Sequence, residues 1–303
     1  APLLASLRDL GCRAESTRGN DMPPVIVRGR MRGGRTSVEA HTSQYLSSLL
    51  LAAPCADDET VIDVPLLNEA PYVSMTLAWL DRLGIVYRNE DMRRFTVPGG
   101  QRYRPFDAYI PADFSSATFF AVAAAVTGAR ITLKGLDFAD TQGDKAVIDI
   151  IERMGARVGK ADRAITIEGG EMKGGVFDLN AIPDALPALA VAGCFARGET
   201  RLVNVPQARL KETDRIAVMR SELSKMGADI EERPDGLVIR QSSLAGAAVR
   251  GHADHRVVMA LSVAALAARG ETTIDTAESV AVTFPAFREL MLSLGADIEL
   301  MED

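Results

Sequence analysis

The chain has 303 residues, a length that favours two domains of about 150 residues each. Hydrophobic residues make up 47% of the sequence and charged residues 25%, a balance typical of a globular protein and not of a disordered one. The net charge of −7 argues against nucleic acid as a partner, and the most apolar stretches, 119–126 and 185–196, are too short to span a membrane.

The chain opens on a helical apolar pattern over 2–10, with Pro2 at a first-turn position. Because this helix is already under way at the first residue, we expect that it has lost a preceding segment. The three cysteines, Cys12, Cys55 and Cys194, are far apart and fit neither a disulfide framework nor a zinc site. We therefore expect a reducing compartment and a cytoplasmic location.

An apolar-Gly-apolar tag recurs about every 70 residues along the chain. We expect each tag to end a helix, because glycine adopts the left-handed conformation that terminates helices. A period this long indicates duplicated small folds and not a solenoid. The tag glycines are Gly11, Gly84, Gly155, Gly227 and Gly295.

Each repeat holds an alanine-rich apolar helix, a β-like run, an amphipathic helix that ends at the tag, and closing strands. The pattern predicts βαβαββ units that start near His41, Asp113, Asp184 and Asp254. The predicted apolar helices cover 43–53, 115–126, 186–195 and 256–268, and the predicted strands after them cover 60–64, 130–133, 200–203 and 272–274.

The stretch 101–111 carries Tyr, Arg and Pro residues and is the best candidate for an interdomain linker. We predict an α/β (α+β) fold in two domains. Residues 1–106 would form an incomplete domain, the back part of three units, and residues 107–303 a complete domain of three βαβαββ units.

Polar residues precede each apolar helix, and N-capping is the simplest explanation, because Asp, Ser and Thr accept hydrogen bonds from free helix N–H groups. Capping accounts less well for His255 and Arg256, because cations in a first turn oppose the helix dipole. His41 and His252 are expected to lie on loops, and no motif with metal-ligand spacing stands out.

The segment 209–215 is the strongest candidate for chemistry. Lys211 and Arg215 lie four residues apart, which places two cations on one face at the positive end of a helix. An anion bound there would contact both cations and the free helix N–H groups. The alternative is a solvated surface turn in which Glu212 and Asp214 neutralise the two cations.

Residues 210–215, read together with 254–256, resemble the 5-enolpyruvylshikimate-3-phosphate synthase family. Shorter matches at 42–44, 70–72, 113–117 and 182–184 occur in the same order as in that family. The resemblance implies the enolpyruvyl transferase fold, in which two domains of βαβαββ units flank a cleft. It also implies a shikimate-pathway transferase for chorismate and aromatic amino acid biosynthesis, a glyphosate target that needs no metal or organic cofactor.

The implied reaction transfers the enolpyruvyl group of phosphoenolpyruvate to the 5-hydroxyl of shikimate 3-phosphate by addition–elimination. Asp184 would accept the hydroxyl proton, Lys211 would share it, and Glu212 would handle the methylene proton. The implied ligands of shikimate 3-phosphate are Thr42, Ser43, Gln44, Tyr72, Asp184, Gln207 and Lys211, and those of phosphoenolpyruvate are Gln44, Arg215, His255 and Arg256.

Three positions depart from the family pattern: Gln207 replaces an Asn, Glu69 a Ser or Thr, and Val282 a Lys. The family's N-terminal substrate-binding segments have no counterpart here, so we expect a complementary N-terminal polypeptide of the same enzyme. Two alternatives stay open. One is a non-catalytic binding or scaffold module, and the other is a UDP-N-acetylglucosamine enolpyruvyl transferase, which lacks the arrangement seen at 211–215.

Overall fold

The computed structural model describes residues 2–301. The chain divides into two compact units, the first ending at Ile110 and the second beginning at Pro111. The boundary lies inside the segment expected as a linker, four residues after the expected position, and residues 98–113 contain no helix or strand. Each unit is described by itself.

The first unit begins with a short helix and an antiparallel strand pair, followed by one βαβαββ repeat. In that repeat β3 and β4 are parallel, and the sheet has the order β3-β4-β6-β5. The elements are α1 (Pro2–Asp9), β1 (Arg13–Ser16), β2 (Val25–Arg28), β3 (Gly34–Ala40), α2 (Ser43–Ala52), β4 (Thr60–Leu67), α3 (Ala70–Arg82), β5 (Arg88–Glu90) and β6 (Arg94–Val97).

The second unit contains three successive repeats. The first comprises α4 (Phe114–Thr127), β7 (Arg130–Lys134), α5 (Ala146–Arg153), β8 (Arg157–Ala161) and β9 (Ala164–Glu168). The second comprises β10 (Val176–Asp178), α6 (Leu186–Phe195), β11 (Glu199–Val203), α7 (Arg215–Lys225), β12 (Asp229–Arg233) and β13 (Gly236–Arg240). The third comprises β14 (Ala248–Val249), α8 (His255–Ala267), β15 (Thr273–Ile274) and α9 (Phe287–Ser293).

Within residues 2–301, the full βαβαββ order occurs in the repeat that starts at β3 and in the one that starts at β10. Their sheets have the same strand order, β3-β4-β6-β5 and β10-β11-β13-β12. The repeat that starts at α4 lacks an opening strand, and the last repeat lacks a closing strand pair in its described residues. The prediction of three complete βαβαββ units in the second domain therefore does not match the described residues.

The predicted start points also need correction. His41, Asp184 and Asp254 lie between the opening strand and the apolar helix, not at the start of a repeat. The opening strands escaped the sequence pattern because they are short or only partly apolar. In β3, for example, only alternate residues are buried.

The core of the second unit is built around α4, α6 and α8, which pack against one another. Their apolar residues are buried on every side, as Phe119, Leu189 and Leu261 illustrate with no exposed area. All-round burial explains why these helices lack an amphipathic stripe in the sequence. The first unit has its own core, in which Leu46, Ile62 and Phe95 are fully buried.

The prediction that glycine tags end helices is confirmed. All five tag glycines have positive φ angles, from +70° at Gly84 to +114° at Gly155. At Gly155 a Cβ atom would lie 2.2 Å from the carbonyl oxygen of Glu171, so a larger residue there would also clash. Across residues 2–301, no helix is long and apolar enough to cross a membrane.

Candidate active site

The N-terminal ends of α4, α6 and α8 converge in the second unit. The Nη1 atom of Arg256, on the first turn of α8, donates to Ser115 Oγ on α4 at 2.7 Å. Its Nη2 atom lies 3.3 Å from Asp184 Oδ2, just before α6. Helix N-termini carry partial positive charge, so this place combines three helix dipoles with side-chain cations.

Capping explains part of the polar sequence at these helix starts. Asp113 accepts from the backbone N–H groups of Ser115 and Ser116, and Asp254 accepts from that of Arg256. The capping carboxylate of Asp254 also compensates the unfavourable position of His255 and Arg256 in the first turn of α8. The carboxylate of Asp184, in the turn before α6, instead contacts the cations around it.

Arg215 is the most deeply buried cation of the site, with 1% of its side chain exposed. Its Nε and Nη2 donate to the two carboxylate oxygens of Asp254 at 2.8 and 3.1 Å. Nη1 donates to Asp184 at 2.8 Å, and Nη2 also donates to Glu212. Burial would lower the pKa of Arg215, but these three carboxylates raise it above its usual range.

The environment of Arg215 differs from the one expected. The resemblance implied a side chain open to phosphoenolpyruvate, whereas its donors here are engaged by carboxylates of the same chain. The spacing of Lys211 and Arg215 predicted two cations on one helix face, but α7 begins at Arg215, and Lys211 lies before it in an extended conformation. The spacing also gave no sign of the acidic partners Asp184 and Asp254. Contact between Arg215 and a substrate stays a prediction.

Asp184 lies among three cations. Arg215 donates to its Oδ1, Lys211 Nζ lies 3.6 Å from the same oxygen, and Arg256 lies near Oδ2. Burial would raise the pKa of Asp184, but Arg256, Lys211 and Arg215 together lower it to about 2. The carboxylate is therefore ionised at neutral pH and, with this pKa, is a weak proton acceptor.

Lys211 and Arg256 are the site cations that an anion can reach. Their side chains retain 16% and 14% of their exposed area, against 1% for Arg215. A small anion with two acidic groups therefore meets Lys211 and Arg256 first. The surface-turn alternative does not describe Lys211, which is mostly buried beside Asp184, whereas Glu212 is nearly half exposed.

His255 and Gln207 are both largely buried in the second unit, with 6% and 3% of their areas exposed. Burial and the neighbouring Arg256 lower the pKa of His255, so the imidazole is neutral at pH 7. The Nε2 atom of Gln207 donates to the backbone oxygen of Asn180 at 3.0 Å. Among the described residues, its buried Oε1 has no hydrogen-bond partner.

The residues expected to hold the 3-phosphate lie in the first unit, at the start of α2. Thr42 caps this helix, and Ser43 begins it. The Glu69 carboxylate accepts from Ser43 Oγ at 2.8 Å, from the Ser43 backbone N–H at 3.2 Å and from Thr42 Oγ1 at 3.4 Å. The expected phosphate position therefore holds an anionic group of the same chain. Gln44 is exposed, and Tyr72 is half-buried on the first turn of α3.

Sequence reasoning missed two contributors. Asp254 was noted as the residue before a helix and as part of the 254–256 match, but its pairing with Arg215 was missed because the two residues lie 39 positions apart. Glu222 is nearly fully buried inside α7. The signal available in the sequence was an acidic residue beside the apolar stripe of that helix.

Val282, which replaces a Lys of the family pattern, is 79% exposed. Between residues 2 and 301, no group of three His, Cys, Asp or Glu side chains is arranged to hold a metal ion.

Comparison with known proteins identifies the family. The model of EPSP synthase (3-phosphoshikimate 1-carboxyvinyltransferase) matches residues 1–291. The chain belongs to the EPSP synthase family. This membership agrees with the resemblance carried by residues 210–215 and 254–256, and with the predicted α/β fold of repeated units.

Members of the EPSP synthase family from several organisms are similar to this chain. The 3-phosphoshikimate 1-carboxyvinyltransferase of Ruminiclostridium cellulolyticum is 57% identical over 300 residues, which cover 99% of this chain and 71% of the relative. That of Methanocella arvoryzae is 44% identical over 303 residues. The EPSP synthase structure from Acinetobacter baumannii superposes with a TM-score of 0.81 at 30% identity, covering 99% of this chain and 71% of that structure.

Proposed function

We propose that this chain acts as a 3-phosphoshikimate 1-carboxyvinyltransferase, which moves the enolpyruvyl group of phosphoenolpyruvate to the 5-hydroxyl of shikimate 3-phosphate. Family membership and the names of relatives up to 57% identical support this transferase activity. The observation that carries the proposal is the Asp184 carboxylate in contact with Lys211 and Arg256. These groups combine a proton acceptor with cations that bind an acidic substrate.

The first step adds the 5-hydroxyl oxygen to C2 of phosphoenolpyruvate while C3 takes up a proton. Asp184 accepts the hydroxyl proton, Lys211 stabilises the charge that develops on the oxygen, and Glu212 delivers the proton to C3. Loss of phosphate from C2 and of a proton from C3 then gives the enolpyruvyl product. Arg256, with His255 beside it, binds the acidic groups of phosphoenolpyruvate.

The low pKa of Asp184 is compatible with its role as proton acceptor, because phosphoenolpyruvate would bind to the cations that lower this pKa. Arg256, Lys211 and Arg215 hold the pKa of Asp184 at about 2. An anion bound to Lys211 and Arg256 offsets part of their positive charge, so the pKa of Asp184 rises. The carboxylate therefore becomes a better proton acceptor when phosphoenolpyruvate is bound.

The proposed ligands of shikimate 3-phosphate also include Thr42, Ser43, Gln44, Tyr72 and Gln207. The Glu69 carboxylate now lies on Ser43, so binding of the 3-phosphate requires this side chain to swing away. The same contact favours a second candidate, a fold-retaining module without activity. Calorimetry separates the two, because that candidate predicts that neither substrate binds.

The chain spans 71% of the length of the curated relatives described above. A cytoplasmic location stays a proposal. Sensitivity to glyphosate, with Val282 in place of a Lys, is also a proposal.

Phosphate release from the two substrates tests the activity. It is measured for the chain alone and for the chain co-expressed with the part of the R. cellulolyticum relative outside the matched region. We expect turnover in at least one preparation and none when either substrate is omitted. Absence of turnover in both preparations would contradict the proposed function.

A further inference from the structure

A buried carboxylate in the middle of α7 contacts the loop that precedes α8. Glu222 has 2% of its side chain exposed. Its Oε2 accepts from the backbone N–H of Arg250 at 2.8 Å, and its Oε1 lies 3.0 Å from His252 Nε2. Lys225, one turn later on α7, donates to the carboxylate from its outer side at 2.6 Å.

The carboxylate of Glu222 is ionised in this setting. Burial would raise its pKa, but Lys225, the Arg250 N–H group and His252 together lower it. An ionised carboxylate forms stronger hydrogen bonds than a neutral acceptor. The loop is therefore attached to α7 by a charge-assisted contact, which the catalytic roles assigned above do not use.

The loop itself has an unusual backbone. His252 and Ala253 are consecutive residues with φ angles of 55° and 53°, a conformation that side chains other than glycine disfavour. Gly251 is constrained as well, because a Cβ atom there would lie 2.4 Å from Val258 and 2.5 Å from the Asp275 carbonyl oxygen. Such a conformation persists only where surrounding contacts maintain it.

Contacts from two sides maintain this loop. Asp275 accepts from the Gly251 N–H at 2.7 Å, and Thr276 accepts from the Ala253 N–H at 3.0 Å. Glu222 supplies the contact from the α7 side. Arg215 and Glu222 lie seven residues apart, about two helical turns, and therefore on one face of α7. One face of α7 thus binds both Asp254, through Arg215, and the loop that leads to it.

We propose that Glu222 is a positioning residue for phosphoenolpyruvate binding, holding the loop 250–254 against α7 so that Arg256 meets Ser115 and Asp184. The inference rests on the proposed function for its substrate. Only His255 separates the loop from Arg256, so a shift of the loop turns the first residues of α8 and displaces the guanidinium. Arg256 is assigned to phosphoenolpyruvate, and none of the proposed ligands of shikimate 3-phosphate lies on the loop 250–254.

The test compares steady-state constants for the two substrates in the active preparation. Glu222→Gln removes the charge at nearly constant volume, and we expect the KM for phosphoenolpyruvate to rise on the order of tenfold. The KM for shikimate 3-phosphate should stay within about twofold, because the loop connects most directly to Arg256, which is assigned to phosphoenolpyruvate alone. Two variants serve as controls. Lys225→Met removes only the outer contact of Glu222, and Glu152→Gln changes an exposed acidic residue on the equivalent helix α5. Both variants should leave the two KM values unchanged.

Several outcomes would overturn the inference. A parallel rise of both KM values, or a lower melting temperature with unchanged KM values, would assign Glu222 to general stability. An effect of Lys225→Met equal to that of Glu222→Gln would show that the outer ion pair, and not the loop contact, matters.

Amide hydrogen exchange gives a readout that does not need turnover. In Glu222→Gln we expect faster exchange confined to residues 250–254, and unchanged exchange there would overturn the inference. If the unmodified preparation does not turn over, the proposed function fails, while exchange still decides whether Glu222 holds the loop.

Discussion

Arg215 and Asp254 form a two-point ion pair in which neither side chain has more than 1% of its area exposed. The pair joins the first residue of α7 to the residue that caps α8. A buried charge that loses its partner stays desolvated without compensation. The pair therefore holds two helix N-termini of the candidate site together.

Removing one partner should destabilise the second unit strongly. For Arg215→Met and for Asp254→Asn we expect losses of about 3 kcal/mol or more in the free energy of unfolding. Urea denaturation measures these losses. Arg13→Gln, which breaks an exposed pair with Glu15, serves as the control and should change nothing measurable. Equal stability of Arg215→Met and the unmodified chain would show that the pair has no structural role.

The cations around Asp184 predict a pH dependence of stability. The folded-state pKa of about 2 lies below the ordinary value of 3.8, so the ionised carboxylate favours folding. This contribution is complete above the ordinary pKa and is lost as the pH falls through about 2. In Asp184→Asn, the free energy of unfolding should fall less over this pH window. Part of the fall should remain, because the pKa of Asp254 is also lowered in the folded protein. An unchanged slope would contradict the assigned pKa.

Binding of phosphoenolpyruvate should raise the pKa of Asp184. The physical reason is that the bound anion offsets the charge of Lys211 and Arg256. Carbon-13 NMR titration of the Asp184 carboxyl, with and without phosphoenolpyruvate, measures this shift directly. Arg256→Gln is the matched variant, in which the pKa without ligand should already be higher and the ligand-induced change smaller. A pKa that falls on binding would contradict the account.

Glu69 should compete with the 3-phosphate for the start of α2. Because its carboxylate accepts from Ser43 and Thr42, we expect Glu69→Gln to lower the KM for shikimate 3-phosphate, by about fivefold if one charge-assisted contact no longer has to be broken. The KM for phosphoenolpyruvate should not change. Glu59→Gln, at an exposed position on the same unit, controls for net charge. A higher KM for shikimate 3-phosphate in Glu69→Gln would mean that Glu69 assists binding.

The helices of this chain could be predicted from its sequence because their signals are local. The helix α6 was predicted with the bounds that it has, Leu186–Phe195, since a polar residue and a proline precede a continuous apolar run. The opening strands were harder, because β14 has two residues and its pairing depends on a distant strand. Gly227 ended its helix as predicted, since positive φ at glycine is a property of one residue.

The candidate site could be predicted in its residues but not in its arrangement. Lys211 was chosen first from its spacing to Arg215, and Asp184 was chosen from a resemblance. Their contact joins two elements that the sequence alone does not bring together. The burial of Arg215 was missed because its carboxylate partners lie 31 and 39 residues away. Glu69 was noted as a departure from the family, but its contact with Ser43 required the fold.

The most direct measurement of the central claim is single-turnover phosphate release by Asp184→Asn in the active preparation. Asparagine keeps the size of the side chain but cannot accept the hydroxyl proton. The account predicts that the rate of phosphate release falls on the order of 100-fold or more while both substrates still bind. A rate equal to that of the unmodified preparation would show that Asp184 is not the proton acceptor and would contradict the account.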